Sequence, residues 1–337
     1  ALLCKPKINM IHETIGSVGH LFVIISFVTA LLATFAYFKS TQSTNELEND
    51  WKLTARVLFG LHFIAVIVVA ASLFVIIYNH YFEYHYAFSH ASKALPIAYI
   101  VSCFWEGQEG SFLLWIFWQA LLGVLLMFRN PKWESPVMTV FALVQTFLTS
   151  MILGVIIPGI ELKIGSSPFL LLREAQPDLP VWSMQPNFIP ADGRGLNPLL
   201  QNYWMVIHPP TLFLGFALTL VPFAFLIAGL WKKQLTEWIT PALPWSLFGG
   251  GVLGVGIMMG AYWAYETLNF GGYWNWDPVE NASFVPWLVW IGAIHTMIAY
   301  RNSSSALKTS IILVITTFIL VLYSTFLNRS GILGNAS

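Results

Sequence analysis

Residues 53–79 read LTARVLFGLHFIAVIVVAASLFVIIYN, a run whose only charge is Arg56 near its start and whose only histidine is His62. As a helix it would rise about 40 Å at 1.5 Å per residue, enough to cross the roughly 30 Å of hydrocarbon in a bilayer. Hydrocarbon offers no partner to backbone polar groups, so a stretch of this kind is read as a transmembrane helix. Seven more such runs flank it, at about 15–37, 109–128, 136–158, 204–230, 244–265, 284–300 and 307–327. The fold class is therefore an all-α polytopic membrane protein of about eight transmembrane helices, with residues 1–337 forming a single membrane domain. Composition agrees: 57% of residues are hydrophobic and 9% charged, where a soluble domain carries about a quarter charged.

The connections differ in charge. Lys39, Lys52, Arg56, Arg129, Lys132, Lys232, Lys233, Arg301 and Lys308 fall in or beside the first, third, fifth and seventh loops, whereas Lys93 alone serves the short second and sixth. The positive-inside rule then places the odd loops in the cytoplasm and both termini outside. A zero formal net charge leaves no basic surface for nucleic acid. Cys4 and Cys103 form neither a CxxC redox pair nor a CxxCH haem-attachment site. The first apolar run is too long for a signal-peptide core, and Met10 ahead of it is the expected natural start, with the residues before it an artefact or a fragment's edge.

Two outer segments stand apart. The first, 159–203, is rich in Pro and Gly and contains Gly193-Arg194-Gly195-Leu196-Asn197-Pro198; it is long for a mere connection and reads as a functional or disordered external loop. The second, 266–283, reads ETLNFGGYWNWDPVENAS and crowds Tyr273, Trp274 and Trp276 beside Gly271, Gly272 and Pro278. Aromatic residues at membrane level often form only an interfacial belt. Here the rings lie in a loop, a Gly-Gly pair allows close approach of something flat, and Asp277 and Glu280 add carboxylates. An aromatic shelf of this kind suits a large planar ligand such as a porphyrin.

Ionisable groups at membrane depth are functional candidates by default. His295 lies eleven residues into the seventh run, roughly 16 Å from its outer end and hence near mid-membrane, where an imidazole either ligates haem iron or bonds a neighbouring helix. His208 opens His208-Pro209-Pro210 at the outer end of the fifth run, and the two prolines remove backbone donors from that turn. It is a ligand candidate on the sharper reading and a helix cap on the plainer one. His20 and His62 are read as packing histidines. His80, His85 and His90 share a five-residue spacing that matches no helical face, and are read as a solvated interfacial segment.

The string Gly271-Gly272-Tyr273-Trp274-Asn275-Trp276-Asp277-Pro278-Val279-Glu280-Asn281-Ala282-Ser283-Phe284, running on to Pro286-Trp287, resembles the WWD motif of haem-handling membrane proteins. Three further blocks keep their order around it: Glu109-Gly110-Ser111 with Leu113-Leu114-Trp115; Gly195-Leu196-Asn197-Pro198-Leu199-Leu200-Gln201 leading to His208-Pro209-Pro210; and Phe326-Leu327 with Arg329-Ser330-Gly331. The combination resembles the CcmF branch of that family more than its CcmC or CcsA branches, over about Ile15 to Leu333.

The resemblance implies a component of a haem lyase (holocytochrome c synthase) that presents haem to the CxxCH thiols of apocytochrome c for thioether formation. Implied partners are a haem chaperone, the apocytochrome and a thiol-reducing maturation subunit. Implied placement is a bacterial inner membrane or an equivalent energy-transducing organelle membrane, with the Trp-rich loop on the external, periplasmic side. His208 is then a ligand to the transferred haem, with Gly271, Gly272, Tyr273, Trp274, Trp276, Asp277 and Glu280 as its platform. His295 is implied to hold a buried structural haem b that keeps the transferred iron reduced. Departures from the family pattern are Gln108 where histidine is usual, and Tyr273 and Asn275 where tryptophan and phenylalanine are usual. A second outer histidine and a second haem b ligand are expected beyond Ser337, so the resemblance implies an amino-terminal half whose missing carboxy-terminal half is truncated or carried on a second polypeptide. A haem exporter or haem-binding transporter is the alternative, weakened because no inverted repeat with matched broken helices is visible; a structural subunit of a respiratory complex would bind no haem.

Overall fold

A computed structural model describes residues 11–44, 46–157, 159–160, 162–267 and 272–329 of the chain. Its helices are α1 (Glu13–Gln42), α2 (Glu46–Tyr78), α3 (His85–His90), α4 (Ile97–Glu106), α5 (Gln108–Arg129), α6 (Glu134–Ser150), α7 (Leu172–Ala175), α8 (Val181–Met184), α9 (Trp204–Trp231), α10 (Ile239–Glu266), α11 (Pro278–Ala299) and α12 (Ala306–Arg329). A two-stranded antiparallel hairpin, β1 (Val155–Ile157) with β2 (Leu162–Ile164), follows α6.

Seven helices among the described residues are long and apolar enough to cross a membrane: α1, α2, α5, α9, α10, α11 and α12. The eighth expected run is shorter than read, though α6 still carries the chain from the end where Arg56 holds Glu134 to the end covered by 159–203. The run at 136–158 forms α6, which stops at Ser150 after 17 residues, about 26 Å of rise. Gly154 then takes a φ of 62°, which a helix does not, and the β-branched Val155-Ile156-Ile157 that looked like helix interior pairs as a strand.

Helices pack as neighbours in sequence: α1 along α2, α9 along α10, α11 along α12, with α6 against α1 and α5 bridging α2 to α9. Small residues set the close approaches. Gly123 on α5 leaves room for the Phe59 ring, and a Cβ on Gly249 of α10 would collide with Trp290 of α11. Outward faces stay apolar, as at Leu21, Phe35, Ile64, Met258 and Ile312, which suits a lipid surround. These features make the chain a multi-pass membrane protein.

The two ends of the bundle are built differently. Where the first, third and fifth loops converge, Arg56 grips Glu134 through two bonds of 2.6 Å, Lys52 lies 3.3 Å from the same carboxylate, and Lys132 pairs with Glu237 at 2.9 Å. The opposite end is covered by folded-back chain. Segment 159–203 docks on segment 79–95 through backbone bonds: Leu172 to Glu83, His85 to Leu170, Arg194 to Phe88 and Gly195 to Ala91. It is thus a hydrogen-bonded cap with its own short helices.

Histidines 80, 85 and 90 belong to that cap and are not a solvated segment. His90 packs against Tyr86 at 4.5 Å and bonds its carbonyl, and burial lowers the pKa of both His85 and His90. Cys103 is buried beneath them, donates to the His90 and Tyr99 carbonyls, and has its pKa pushed up by burial to about 12, which makes it a packing residue and not a nucleophile.

Candidate functional site

The first turns of α9 are held open by proline. Pro209 has no N–H to give the carbonyl of Met205, one turn earlier, and the Trp105 indole of α4 donates to that oxygen instead at 2.9 Å. Trp204 and Asn202 both bond the Glu266 carboxylate at the end of α10, which pins the start of α9 beside it. Lower down, Gly215 and Gly256 sit where a Cβ would meet the backbone of the facing helix, at 2.8 Å from Leu253 Cα and 3.1 Å from Leu212 Cα.

This close approach fixes His208. Its Nδ1 lies 2.8 Å from the carbonyl oxygen of Gly256. A carbonyl can only accept, so Nδ1 carries the proton and Nε2 carries the lone pair available to a metal. Gly260, one turn along α10, faces the ring: a Cβ there would stand 2.8 Å from His208 Cε1 and 3.3 Å from Nε2. Trp263 meets the same imidazole edge-on at 5.9 Å.

His208 lines a cavity of about 410 Å3 with Leu212, Ile257, Gly260, Trp263, Trp274 and, on its outer rim, Asn197, Asp277 and Glu280. A largely apolar cleft of this size with few polar groups is what a small-molecule or cofactor site looks like. The Asn197 that the third motif block contributes caps a 3-10 turn, Pro198–Leu200, with its side chain accepting from Leu199. Behind it stands Glu106 at the end of α4, whose carboxyl is raised by burial to about 8.

The Trp-rich loop divides between cavity and exterior. Trp274 packs on Phe284 at 5.1 Å and on Trp276 at 6.0 Å, and it lines the cavity. Trp276 adopts a φ of 58° and is 68% exposed, while Tyr273 stacks on Tyr265 at 4.2 Å and is 51% exposed. Gly272 faces open space, and Gly271 lies outside the described residues. Asp277 and Glu280 line the rim but also fold the loop. Asp277 caps α11 by accepting from Glu280 N at 2.8 Å, Pro278 takes the first helical position, and Glu280 reaches back to Asn275 N at 2.8 Å. The pattern Asp-Pro-x-Glu is a helix-start signal, and it accounts for carboxylates that lack a basic neighbour.

His295 is not where the run 284–300 put it. Because the Asp277 cap starts α11 at Pro278, His295 is four residues from the helix end at Ala299, about 6 Å of rise, and about 25 Å from the outer end. It is exposed, bonds the Ile291 carbonyl of its own helix at 2.8 Å, and does not line the cavity of His208. The helix thus starts farther out than the apolar run, and His295 stands on an exposed face of α11. His62 is the deeply buried one: it is fully enclosed, with Nδ1 on the Ser26 carbonyl at 2.9 Å. His20 lies at the outer end of α1, 3.4 Å from Ser167 Oγ.

The cavity therefore gathers His208, Trp274, Asp277 and Glu280 from the expected residues and adds Trp263 and Gly260, with Gly256 holding His208 from behind, all three missed by the sequence reading. The available signal was Gly256-x-x-x-Gly260, a small-residue pair one turn apart on α10.

Residues 105–333 match the family model described as cytochrome C assembly protein. The cytochrome c-type biogenesis protein CcmF of Haemophilus influenzae is 34% identical over 311 residues, covering 91% of this chain and 44% of that protein. The protein of the same name from Pseudomonas fluorescens is 37% identical over 253 residues, covering 75% of this chain and 36% of its own length. A solved structure described as cytochrome c heme lyase CcmF superposes with a TM-score of 0.74 at 26% identity, over 97% of this chain and 48% of that one. The chain thus spans less than half the length of these relatives. With the family model covering most of the chain and the order of its motifs preserved, this protein belongs to the cytochrome C assembly protein family.

Proposed function

We propose that this chain carries the haem-presenting part of a haem lyase acting in cytochrome c maturation. In this reading His208 ligates the iron of a haem in transit, and the CxxCH thiols of an apocytochrome c meet that haem at the outer end of the bundle. The observation that carries the reading is the His208 imidazole, with its tautomer set by the Gly256 carbonyl and its ring lining an apolar cavity beside Trp263 and Trp274. The fit to a haem is chemical: an oriented neutral imidazole, aromatic walls for a flat macrocycle, and a glycine where a Cβ would crowd the ring. Haem itself would supply the iron to be ligated and the vinyl groups to which the thiols add.

The residues of this chain bind and orient. Gly256 holds the imidazole, Trp263 and Trp274 supply ring faces, and Asp277 with Glu280 fix the loop that closes one wall. Trp276 and Tyr273, turned outward, are proposed as the surface met by the haem donor and the apocytochrome. The cavity is proposed to face the outside of an energy-transducing membrane, a bacterial inner membrane or its organellar equivalent; the basic residues clustered at the opposite end support that sidedness. His295 is proposed as a second, b-type haem ligand held against the outside of α11, with its other ligand from protein outside the described residues; an ionisable group facing lipid supports this. Haem chaperone, thiol-reducing subunit and the remaining length of the relatives are proposed partners.

The test is maturation of a CxxCH reporter cytochrome, scored by covalent haem staining in cells that make His208→Ala in place of the wild type. Loss of covalent haem at unchanged membrane level is expected. Maturation at the wild-type level would refute His208 as the presenting ligand.

A further inference from the structure

At the end of the bundle opposite the His208 cavity, a second and polar cavity of about 230 Å3 opens between the first and third loops and the end of α9. Lys52, Lys132 and Lys232 line it together with the hydroxyls of Thr41, Ser43 and Ser135, and Glu48 is the one carboxylate on its wall. Two other carboxylates lie close by, each already held. Glu134 takes both bonds of Arg56 and the approach of Lys52, and Glu237 is paired with Lys132. Counting these neighbours, four cations face three carboxylates; Lys39 and Lys233 stand one turn or one residue away, and Glu46 and Asp50 stand two residues from Glu48 and Lys52. Lys232 is the lining lysine without a carboxylate partner among the described residues.

Below the cavity the surface turns apolar. Phe38, one turn before Thr41, is 43% exposed and packs against Trp231, the residue before Lys232, with ring centroids 5.5 Å apart. This aromatic pair joins the end of α1 to the end of α9. A site with lysines and hydroxyls at headgroup level and aromatic rings directly beneath it matches a phosphate joined to acyl chains better than a free anion.

We propose that this cavity binds the phosphate headgroup of an anionic phospholipid, with the acyl chains lying along the Phe38 and Trp231 groove. The lysines supply charge, and Ser43 with Lys232 supplies hydrogen bonds to phosphate oxygens, while Thr41 already donates to the Tyr37 carbonyl and Ser135 is bonded to Ser40. The lipid would brace the first, third and fifth loops where they converge. This site is separate from the haem cavity and does not depend on the function proposed for it.

The test uses protein extracted from its own membrane and exchanged into bilayer discs of phosphatidylcholine, with or without a minor fraction of phosphatidylglycerol. Native mass spectrometry reads retained lipid. The double variant Lys132→Gln with Lys232→Gln removes two exposed ammonium groups and leaves Lys52 on Glu134, so the fold is kept. Wild type should retain phosphatidylglycerol in preference to phosphatidylcholine, and the double variant should lose roughly tenfold to thirtyfold of that preference. Arg173→Gln, at the opposite end, should lose none. Equal retention by wild type and double variant would overturn the proposal. So would displacement of the lipid by inorganic phosphate but not by chloride at equal ionic strength, which would mark a free-phosphate site.

Discussion

Gly260→Ala is a one-atom test of how the imidazole is held. The new Cβ would stand 2.8 Å from His208 Cε1, 3.3 Å from Nε2 and 3.5 Å from Nδ1. Carbon atoms settle at about 3.5–4.0 Å, so the ring must retreat by roughly 0.7–1 Å. Such a shift stretches the 2.8 Å bond to the Gly256 carbonyl toward or past the limit of a hydrogen bond. Losing it costs about 1 kcal/mol, and crowding adds about 1–3, while alanine returns about 1 kcal/mol in helix propensity. Stability should therefore fall by only about 1–3 kcal/mol, and the variant should still fold. Haem affinity should fall further, by about 10–100-fold, because the group orienting the ligand is lost. Gly251→Ala on the same helix is the control: nothing lies within 4 Å of its added Cβ, and it should gain up to about 1 kcal/mol with haem binding intact. The assay pairs thermal unfolding in detergent with haem titration followed by absorbance. A Gly260→Ala protein that binds haem as tightly as Gly251→Ala would refute the claim that ring position governs ligation.

Trp274→Ala should weaken haem retention several-fold with unchanged protein level, since a ring contact is worth about 1 kcal/mol, whereas the exposed Trp276→Ala should retain haem and mature less cytochrome; two normal variants would make the loop an anchor only. His295→Ala should abolish b-type absorbance in reduced-minus-oxidised spectra and His208→Ala should preserve it, and the reverse outcome would exchange their roles. Cysteine placed at Gly272 should react with an impermeant maleimide from outside and cysteine at Gln234 only after permeabilisation; labelling of Gln234 in intact cells would invert the topology. Glu106 keeps a proton in the folded state up to pH of about 8 that the unfolded chain releases near 4.5. Its contribution to stability is thus present below about pH 4.5 and is lost as pH rises toward 8, so the unfolding midpoint should drop across that window and Glu106→Gln should flatten the drop; parallel curves would rule the residue out.

Span positions were readable from hydropathy because a lipid-crossing helix must be apolar along its length, and α2 and α9 fall within a few residues of expectation at one or both ends. Helix boundaries were not, since hydropathy is blind to caps. The Asp277 cap extends α11 by six residues beyond the apolar run, which lengthens the distance from His295 to the helix start from about 16 to about 25 Å and leaves its distance to the other end almost unchanged. The same blindness carried the expected helix at 136–158 past the end of α6 at Ser150, because Val155, Ile156 and Ile157 are as apolar in a strand as in a helix. At the cavity, His208 and Trp274 were legible as unusual residues in their surroundings. Gly256 and Gly260 were not, because a glycine acts there through what it leaves out, and the neighbour that fills the space, Leu212 or His208, lies more than forty residues away in the chain.

The distribution of weak backbone explains why the site sits at this end of the bundle. Proline costs α9 a donor beside His208, and Trp105 crosses from α4 to bond the orphaned Met205 carbonyl. Gly256 lends a helical carbonyl to the imidazole, Trp276 takes a left-handed backbone, and Asp277 restarts the chain as helix. Backbone of this kind is tolerated at a membrane only when it is buried in protein or lines a cavity. The Met205 carbonyl is answered by Trp105 and the Trp276 carbonyl by Asn281, while His208 and Asp277 border one cleft. The opposite end keeps regular helices, joined by Arg56, Lys52 and Glu134. A rigid, ion-paired base with a cleft of broken helices above it is the arrangement expected when one end must hold the bundle together and the other must open to a large flat ligand.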